Sequence, residues 1–184
     1  RLEEIGEATS VGERHARYYA DLVDCRWTEL VIGATEFRGL VASERRNLSA
    51  ALEWSLVRKN GEDALAIVSG VWPSWADSRQ GRRLAERALA LPAERLSQRR
   101  GDVQLALSQF AKYLGDLDAA RRALEESLAA YREVDEHSPR VAASFTGLAE
   151  VALAEGDLAE ARRLAEEGVR IRREQLDSFR LTRA

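Results

Sequence analysis

Hydrophobic and polar positions follow one another along most of the chain with the period of an amphipathic helix. The clearest stripes are formed by Val103, Ala106, Leu107, Phe110, Ala111 and Leu114, and then by Leu117, Ala120, Leu124, Leu128 and Tyr131. Apolar residues three or four positions apart lie on one face of an α-helix. Gly115-Asp116 suits a turn between them, because glycine adopts the positive φ that ends a helix and aspartate caps the next one. The pattern therefore predicts a helix pair.

The same pattern occurs again further along the chain. Gly115-Asp116-Leu117 recurs as Gly156-Asp157-Leu158 at an offset of 41, and Ala120-Arg121-Arg122 recurs as Ala161-Arg162-Arg163. A third copy lies upstream, where residues 81–89 parallel residues 120–128 at an offset of 39. Units of this length that each contain a helix pair are typical of stacked helical repeats.

Two longer helices precede the repeats. The first is predicted from Ser10 to about Ile32 and the second from about Thr35 to Arg58, where Asn60-Gly61 stops it. A third is predicted from Glu62 to about Ser78. It contains Pro73, which lacks an amide proton, so we expect a kink or break near residues 69 and 70.

Composition supports the helical interpretation and excludes several classes of function. The chain has 45% hydrophobic and 32% charged residues and only three prolines, which predicts a folded all-α protein. Its formal net charge of −3 disfavours binding to nucleic acids or anionic membranes by charge alone. Neither a membrane-spanning run nor a secretory signal is visible, so we expect a cytoplasmic protein. Methionine is absent and the chain begins at Arg1, which suggests a segment of a longer protein.

The residues that carry most enzyme chemistry are scarce. His15 and His137 are the only imidazoles, and Cys25 is the single cysteine, with no histidine close to it in sequence. A catalytic site needs a nucleophile, an acid or base and an orienting group that converge, and zinc needs about four convergent ligands. We therefore predict no catalytic residue, no metal site and no cofactor.

Paired charges recur on the second helix of each repeat. Arg121 and Arg122 each precede a glutamate by four residues, as do Arg162 and Arg163. We interpret these Arg/Glu pairs as a solvated outer face, since their charges nearly cancel. The alternative is a docking site for acidic partners.

Three tryptophans, Trp54, Trp72 and Trp75, cluster around one predicted helix pair. They either fill the junction between the first helices and the regular repeats or form an aromatic ligand pocket. The break expected at Pro73 supports the pocket, because it leaves backbone groups that need partners.

A second candidate site follows from repeat geometry. Stacked helix pairs present their first helices on the concave side, which is the usual binding groove. Counting back from Gly115 and Gly156 gives the predicted groove residues Gln109, Lys112, Tyr113, Glu150 and Leu153. These side chains are mixed in character and do not specify a ligand.

Two family resemblances arise from these residues. Glycine at the turn, alanine five residues later, and Leu148-Ala149 in a first helix resemble the tetratricopeptide pattern, although a period near 40 exceeds the family's repeat of about 34 residues. Segments 13–19, 44–54, 64–65, 72–75 and 81–84 together resemble the helical region that follows the nucleotide-binding and winged-helix modules of bacterial STAND-class signal-transduction ATPases. That class includes AfsR-like and LuxR-type transcriptional regulators.

These resemblances imply a tetratricopeptide-like right-handed superhelical solenoid of antiparallel helix pairs. Residues 1–9 would be the tail of a preceding winged-helix-like module and residues 10–61 an N-terminal helix pair. Three tetratricopeptide-like pairs would follow at about 62–96, 97–136 and 137–180, all in one continuous domain.

The implied function is a non-catalytic sensor or interaction arm of a larger regulator. It would bind a protein, a peptide or a small-molecule effector and thereby control an ATPase and DNA-binding switch elsewhere, without contacting nucleic acid or membrane itself. The alternative is a free-standing tetratricopeptide adaptor or peptide receptor. The oligomeric state is left open.

Overall fold

The computed structural model describes residues 7–24, 35–75, 77–93 and 97–181. The chain divides into two compact units, Arg1–Arg99 and Arg100–Ala184. The elements before residue 90 are α1 (Glu7–Asp24), α2 (Thr35–Ser43), α3 (Arg45–Val57), α4 (Gly61–Val71), a 3-10 helix (Trp72–Ser74) and α5 (Ser78–Leu89). They are followed by α6 (Ser97–Tyr113), α7 (Leu117–Val134), α8 (Pro139–Glu155) and α9 (Leu158–Leu181). The described residues form helices and turns without a strand, so the all-α prediction is confirmed.

The first unit is organised around α4. Every residue of this helix except Glu62 is buried, and α1, α3 and α5 pack against it. Its N-terminus is capped by Asn60, whose Oδ1 accepts a hydrogen bond from the Asp63 amide at 3.2 Å. Asp63 itself is 2% exposed and is paired with Arg17 at 3.2 Å. Burial raises the pKa of the Asp63 carboxyl, and the Arg17 charge opposes that rise.

The second predicted helix of this unit differs in the structure. The helix predicted from Thr35 to Arg58 is interrupted by a one-residue turn at Glu44. A positive φ follows this helix at Lys59, at 58°, just before the Asn60-Gly61 pair that was predicted to stop it. Gly61 is required for a different reason, since a Cβ there would lie 2.2 Å from the carbonyl oxygen of Pro92.

Pro73 ends α4 as a regular helix. The α-helix stops at Val71 and continues as the 3-10 turn, so the break falls slightly later than the expected position near residues 69 and 70. A proline cannot donate to the carbonyl one turn earlier, and the tighter 3-10 turn accommodates the missing bond.

The turns of the second unit form as predicted. Gly115 and Gly156 adopt left-handed φ values of 76° and 85°. Asp116 Oδ1 then accepts from the Ala119 amide at 3.0 Å, and Asp157 Oδ1 accepts from the Glu160 amide at 2.9 Å. Each turn therefore ends one helix and caps the next, which is what produces the helix pairs α6–α7 and α8–α9.

Candidate functional site

The structure joins two of the predicted groove residues of the second unit, Lys112 of α6 and Glu150 of α8. The Lys112 ammonium bonds to the Glu150 carboxylate and so connects the two helices. Beside this pair, Tyr113 is 77% exposed and Leu153 is 59% exposed. The surface therefore combines one neutralised charge pair with two large apolar side chains open to solvent.

The remaining predicted residue, Gln109, lies one turn before Tyr113 and is half-buried. Sequence reasoning missed Thr146, an exposed residue that precedes Glu150 by one turn of α8. Its hydroxyl donates to the carbonyl of Ala142 at 2.9 Å, which fixes the side chain beside the helix backbone. Its spacing of four residues from Glu150 could have identified it. We define Gln109, Lys112, Tyr113, Thr146, Glu150 and Leu153 as the α6–α8 surface.

A buried polar network joins α6, α7 and α8 near the starts of α6 and α8 and the end of α7. Asp102 Oδ1 accepts hydrogen bonds from the Tyr131 hydroxyl at 2.7 Å and from Arg140 Nε at 2.9 Å. Burial raises the pKa of the Tyr131 hydroxyl, and the neighbouring Asp102 charge raises it further. Asp102 is itself buried, and a buried carboxylate needs such partners. These bonds fix the relative position of the helices that present the surface.

Close packing of small residues completes this arrangement. The Ser127 hydroxyl donates to the Gly101 carbonyl at 2.9 Å and lies 3.2 Å from the Ser144 hydroxyl. A Cβ at Gly101 would lie 2.6 Å from the Tyr131 ring. Since Gly101 lies near the start of α6 and Tyr131 near the end of α7, the two helices are antiparallel.

The Arg/Glu pairs of the second helices only partly follow the prediction. Arg162 bonds to Glu166 at 2.8 Å as expected. Arg121 instead bonds to Glu155 of α8, and Arg163 bonds to Glu160 at 2.7 Å. The partner of Arg121 lies on a neighbouring helix, which a pattern confined to one helix cannot reveal.

The three predicted pocket tryptophans are all half-buried but line different places. Trp54 packs on Gly12, has the Arg58 guanidinium 4.9 Å from its ring centre, and borders an open cleft of about 630 Å³. Trp75 lines a separate small cavity of about 30 Å³ together with residues of α3 and α4. Trp72 lies in the 3-10 helix. A single aromatic pocket formed by all three stays a prediction.

The two histidines lie in different units. His15 packs against the Tyr19 ring at 4.8 Å between ring centres. His137 is exposed and lies 3.3 Å from Glu174 in a cleft of about 890 Å³ between the α7–α8 connection and α9. Cys25 lies outside the described residues.

The described residues lack two further features that would indicate a function. That part of the chain holds no group of three or more His, Cys, Asp or Glu side chains arranged for a metal ion. Within the same residues, no helix is long and apolar enough to cross a bilayer.

Comparison with known proteins shows which family the repeats resemble. Residues 98–174 match the tetratricopeptide repeat family, a range that includes nearly all of α6, the whole of α7 and α8, and most of α9. No curated protein matches the chain. Among solved structures, the crystal structure of BtubC (BKLC) from P. vanneervenii is 18% identical, covers 95% of this chain and 92% of its own, and gives a TM-score of 0.49.

The family match and the described helices confirm the predicted fold class, all-α with tetratricopeptide-like helix pairs, and residues 98–174 form a tetratricopeptide-like repeat region. Repeats of this kind are protein-interaction modules, so the coarse functional prediction is supported as well. The predicted domain boundaries and the single continuous domain stay predictions.

Proposed function

We propose that the chain is a non-catalytic protein-interaction domain whose second unit binds a peptide segment of a partner on the α6–α8 surface. The observation that carries this proposal is the exposure of Tyr113 and Leu153 beside the Lys112–Glu150 pair. Large exposed apolar side chains next to polar groups are typical of peptide-binding surfaces, since they gain from losing contact with water.

The chemistry of this surface defines the partner in general terms. Tyr113 offers a rigid, amphipathic ring and Leu153 an aliphatic contact, which together favour a peptide with at least one large apolar side chain. Lys112 and Glu150 already neutralise each other, so a highly charged peptide gains little. Affinity should accordingly depend only weakly on salt.

Selection from a random displayed peptide library, with the whole chain as bait, tests the proposal. Selected peptides should lose at least about tenfold in affinity when Tyr113→Ala or Leu153→Ala is introduced, as expected for truncation of a central apolar contact. Tyr18→Ala is a matched control, because Tyr18 is 61% exposed on α1 of the other unit. Unchanged affinity for the Tyr113 and Leu153 variants would refute the surface, as would an equal loss for the Tyr18 variant.

We further propose that this interaction domain is the sensing arm of a larger signal-transduction ATPase of the regulator type. Support comes from the resemblance carried by segments 13–19, 44–54, 64–65, 72–75 and 81–84. The effector could then be a small molecule as well as a peptide, and the ATPase and DNA-binding modules would lie elsewhere in the protein. The alternative is a free-standing tetratricopeptide adaptor.

The coding sequence upstream of Arg1 separates these two. A nucleotide-binding module joined directly to this chain supports the sensing arm. An initiating methionine immediately before Arg1 contradicts it and leaves the adaptor.

A further inference from the structure

The outer face of α9 repeats the face that α7 uses to bind α8. On α7 that face consists of Leu117, Leu124 and Leu128, flanked by Arg121 and Arg132. At the repeat offset of 41, the matching residues of α9 are Leu158, Ala165, Val169, Arg162 and Arg173. The apolar or basic character of each position is kept.

Burial of the two faces differs sharply. Leu124 is 0% exposed, with Gly147 of α8 packed against it, and Leu128 is 8% exposed. On α9, Val169 is 47% exposed, Leu158 is 68% exposed and Ala165 is exposed as well. An open cleft of about 480 Å³ lies along this face, lined by Arg162, Ala165, Val169 and Arg173 among others.

Both flanking arginines of α7 contact residues of α8. Arg121 bonds to Glu155 at the C-terminal end of α8, and the Arg132 guanidinium lies 5.4 Å from the centre of the Phe145 ring. The matching Arg162 bonds instead to Glu166 on its own helix, with its side chain 82% exposed against 30% for Arg121. Arg162 is thus placed to exchange Glu166 for a carboxylate from another helix.

We propose that the outer face of α9 is a docking site for an amphipathic helix of a partner protein, held as α7 holds α8. The interface that α7 already makes defines the chemistry of that helix. It carries an aromatic residue for Arg173, an aliphatic residue three positions later as Leu148 follows Phe145, and a carboxylate for Arg162 ten positions after the aromatic.

One position distinguishes the incoming helix from α8 itself. Gly147 of α8 has no side chain because a Cβ there would lie 2.5 Å from Leu124 Cδ2. On α9 the residue that matches Leu124 is Ala165, which is three carbons shorter. The docked helix therefore has a larger residue than glycine at this position, filling the space above Ala165.

A synthetic peptide with the sequence of residues 138–155 and the change Gly147→Leu is the probe. The added leucine cannot fit against Leu124, so the peptide is unable to replace α8 on α7, whereas the shorter Ala165 admits it. Fluorescence anisotropy of the labelled peptide, titrated with the whole chain, should show saturable binding. The variant Val169→Asp should weaken it at least about tenfold, because a charge would be buried against the apolar stripe.

The charge pair supplies a second, independent readout. Arg162→Glu should weaken binding several-fold, and the peptide change Glu155→Arg should restore it to the variant. Val57→Asp serves as the matched control, since Val57 is a 72% exposed valine on α3 of the other unit. That variant should bind the probe with unchanged affinity.

Three outcomes would overturn the proposal. They are the absence of saturable binding, binding that Val169→Asp does not weaken, and a dimer in sedimentation that Val169→Asp dissociates. The dimer would mean that a second copy of the chain occupies this face instead of a partner helix. The α6–α8 surface lies on other helices, so these results do not bear on the peptide-binding proposal.

Discussion

The two units bury their helices in different ways. In the first, α4 is covered on nearly every side by α1, α3 and α5, so one helix forms the centre of the core. In the second, α7 and α8 each pack against the helices before and after them, and α9 keeps an open face. The first unit therefore depends on one central helix, whereas the second depends on contacts between successive helices, as repeat proteins do.

The difference explains why both proposed binding surfaces lie in the second unit. A helix that is buried all round has no face left for a partner. Helices that pack one after another each keep part of their surface exposed, as the α6–α8 surface and the outer face of α9 do. The following predictions test this contrast in order of decreasing effect.

Truncation at the centre of the first unit should have the largest effect. Ile67 is 0% exposed on α4, so Ile67→Ala should cost about 2–5 kcal/mol through lost burial and an unfilled cavity. All four tryptophans lie at position 75 or earlier, so urea unfolding followed by tryptophan emission reports on this unit. Leu153→Ala, at an exposed aliphatic residue, should leave the emission midpoint unchanged. Equal shifts for the two variants would contradict a core centred on α4.

Removing the buried hydroxyl of the second unit should come next. Tyr131→Phe loses the hydrogen bond to the Asp102 carboxylate and should cost about 1.5–3 kcal/mol at pH 7. Unfolding followed by far-ultraviolet circular dichroism measures the loss. Tyr113→Phe is the control, because the ring of Tyr113 is largely exposed and should lose almost nothing.

The Tyr131 hydroxyl should make the free energy of unfolding depend on pH in the alkaline range. The pKa of Tyr131 is raised in the folded chain, while in the unfolded chain it returns to about 10.0. Above that pH the unfolded chain loses the proton and the folded chain keeps it, so stability falls as the pH rises. The wild type should lose more stability than Tyr131→Phe between pH 9 and about pH 11. Parallel curves would show that the hydroxyl is not held as the structure describes.

A methyl group added between α6 and α7 should have a comparable or slightly smaller effect. Gly101→Ala places a Cβ against the Tyr131 ring, which Asp102 holds in position, and should cost about 1–3 kcal/mol by overpacking. Gly39→Ala is its matched control, since no atom lies within 4 Å of a Cβ built there. That change in an exposed helix should stabilise the chain by up to about 1 kcal/mol. Stabilisation by both alanines would refute the close packing of α6 on α7.

The smallest effect on stability is expected for the matching arginines of the two repeats, Arg121 and Arg162. Arg121→Ala breaks a bond between α7 and α8 and should cost less than about 1 kcal/mol. Arg162→Ala removes only a bond within exposed α9, so its denaturation midpoint should not move measurably. Larger destabilisation by Arg162→Ala would show that the outer face of α9 is already occupied.

The elements of both units could largely be predicted from sequence because their signals are local. The turns at Gly115 and Gly156 and the caps at Asp116 and Asp157 depend on residues only a few positions apart. The interruption at Glu44 was missed, since no proline or glycine marks it. The positive φ of Lys59 was missed for a similar reason, as it is uncommon for a residue with a side chain.

The candidate surface was predicted in part. Repeat counting from the turns placed Lys112 and Glu150 on the same side, and the structure joins them in an ion pair. Repeat counting could not predict the network of Asp102, Tyr131 and Arg140. Tyr131 and Arg140 lie 29 and 38 positions after Asp102 in the sequence. Nor could it reveal that Trp54 and Trp75 line separate cavities, because their proximity in sequence says little about which helices cover them.

By itself the sequence determined that the chain is helical, where most helices begin and end, and that one helix-pair pattern recurs. Helical period, glycine turns and aspartate caps act within a few residues, so they can be read without knowing the neighbours. Only the tertiary structure decided that Arg121 pairs with Glu155, 34 positions away, and that matching faces of α7 and α9 differ in exposure. The ion pair and the exposure of each face depend on which helix packs against α7 or α9. That neighbour is determined by the packing of segments distant in the sequence.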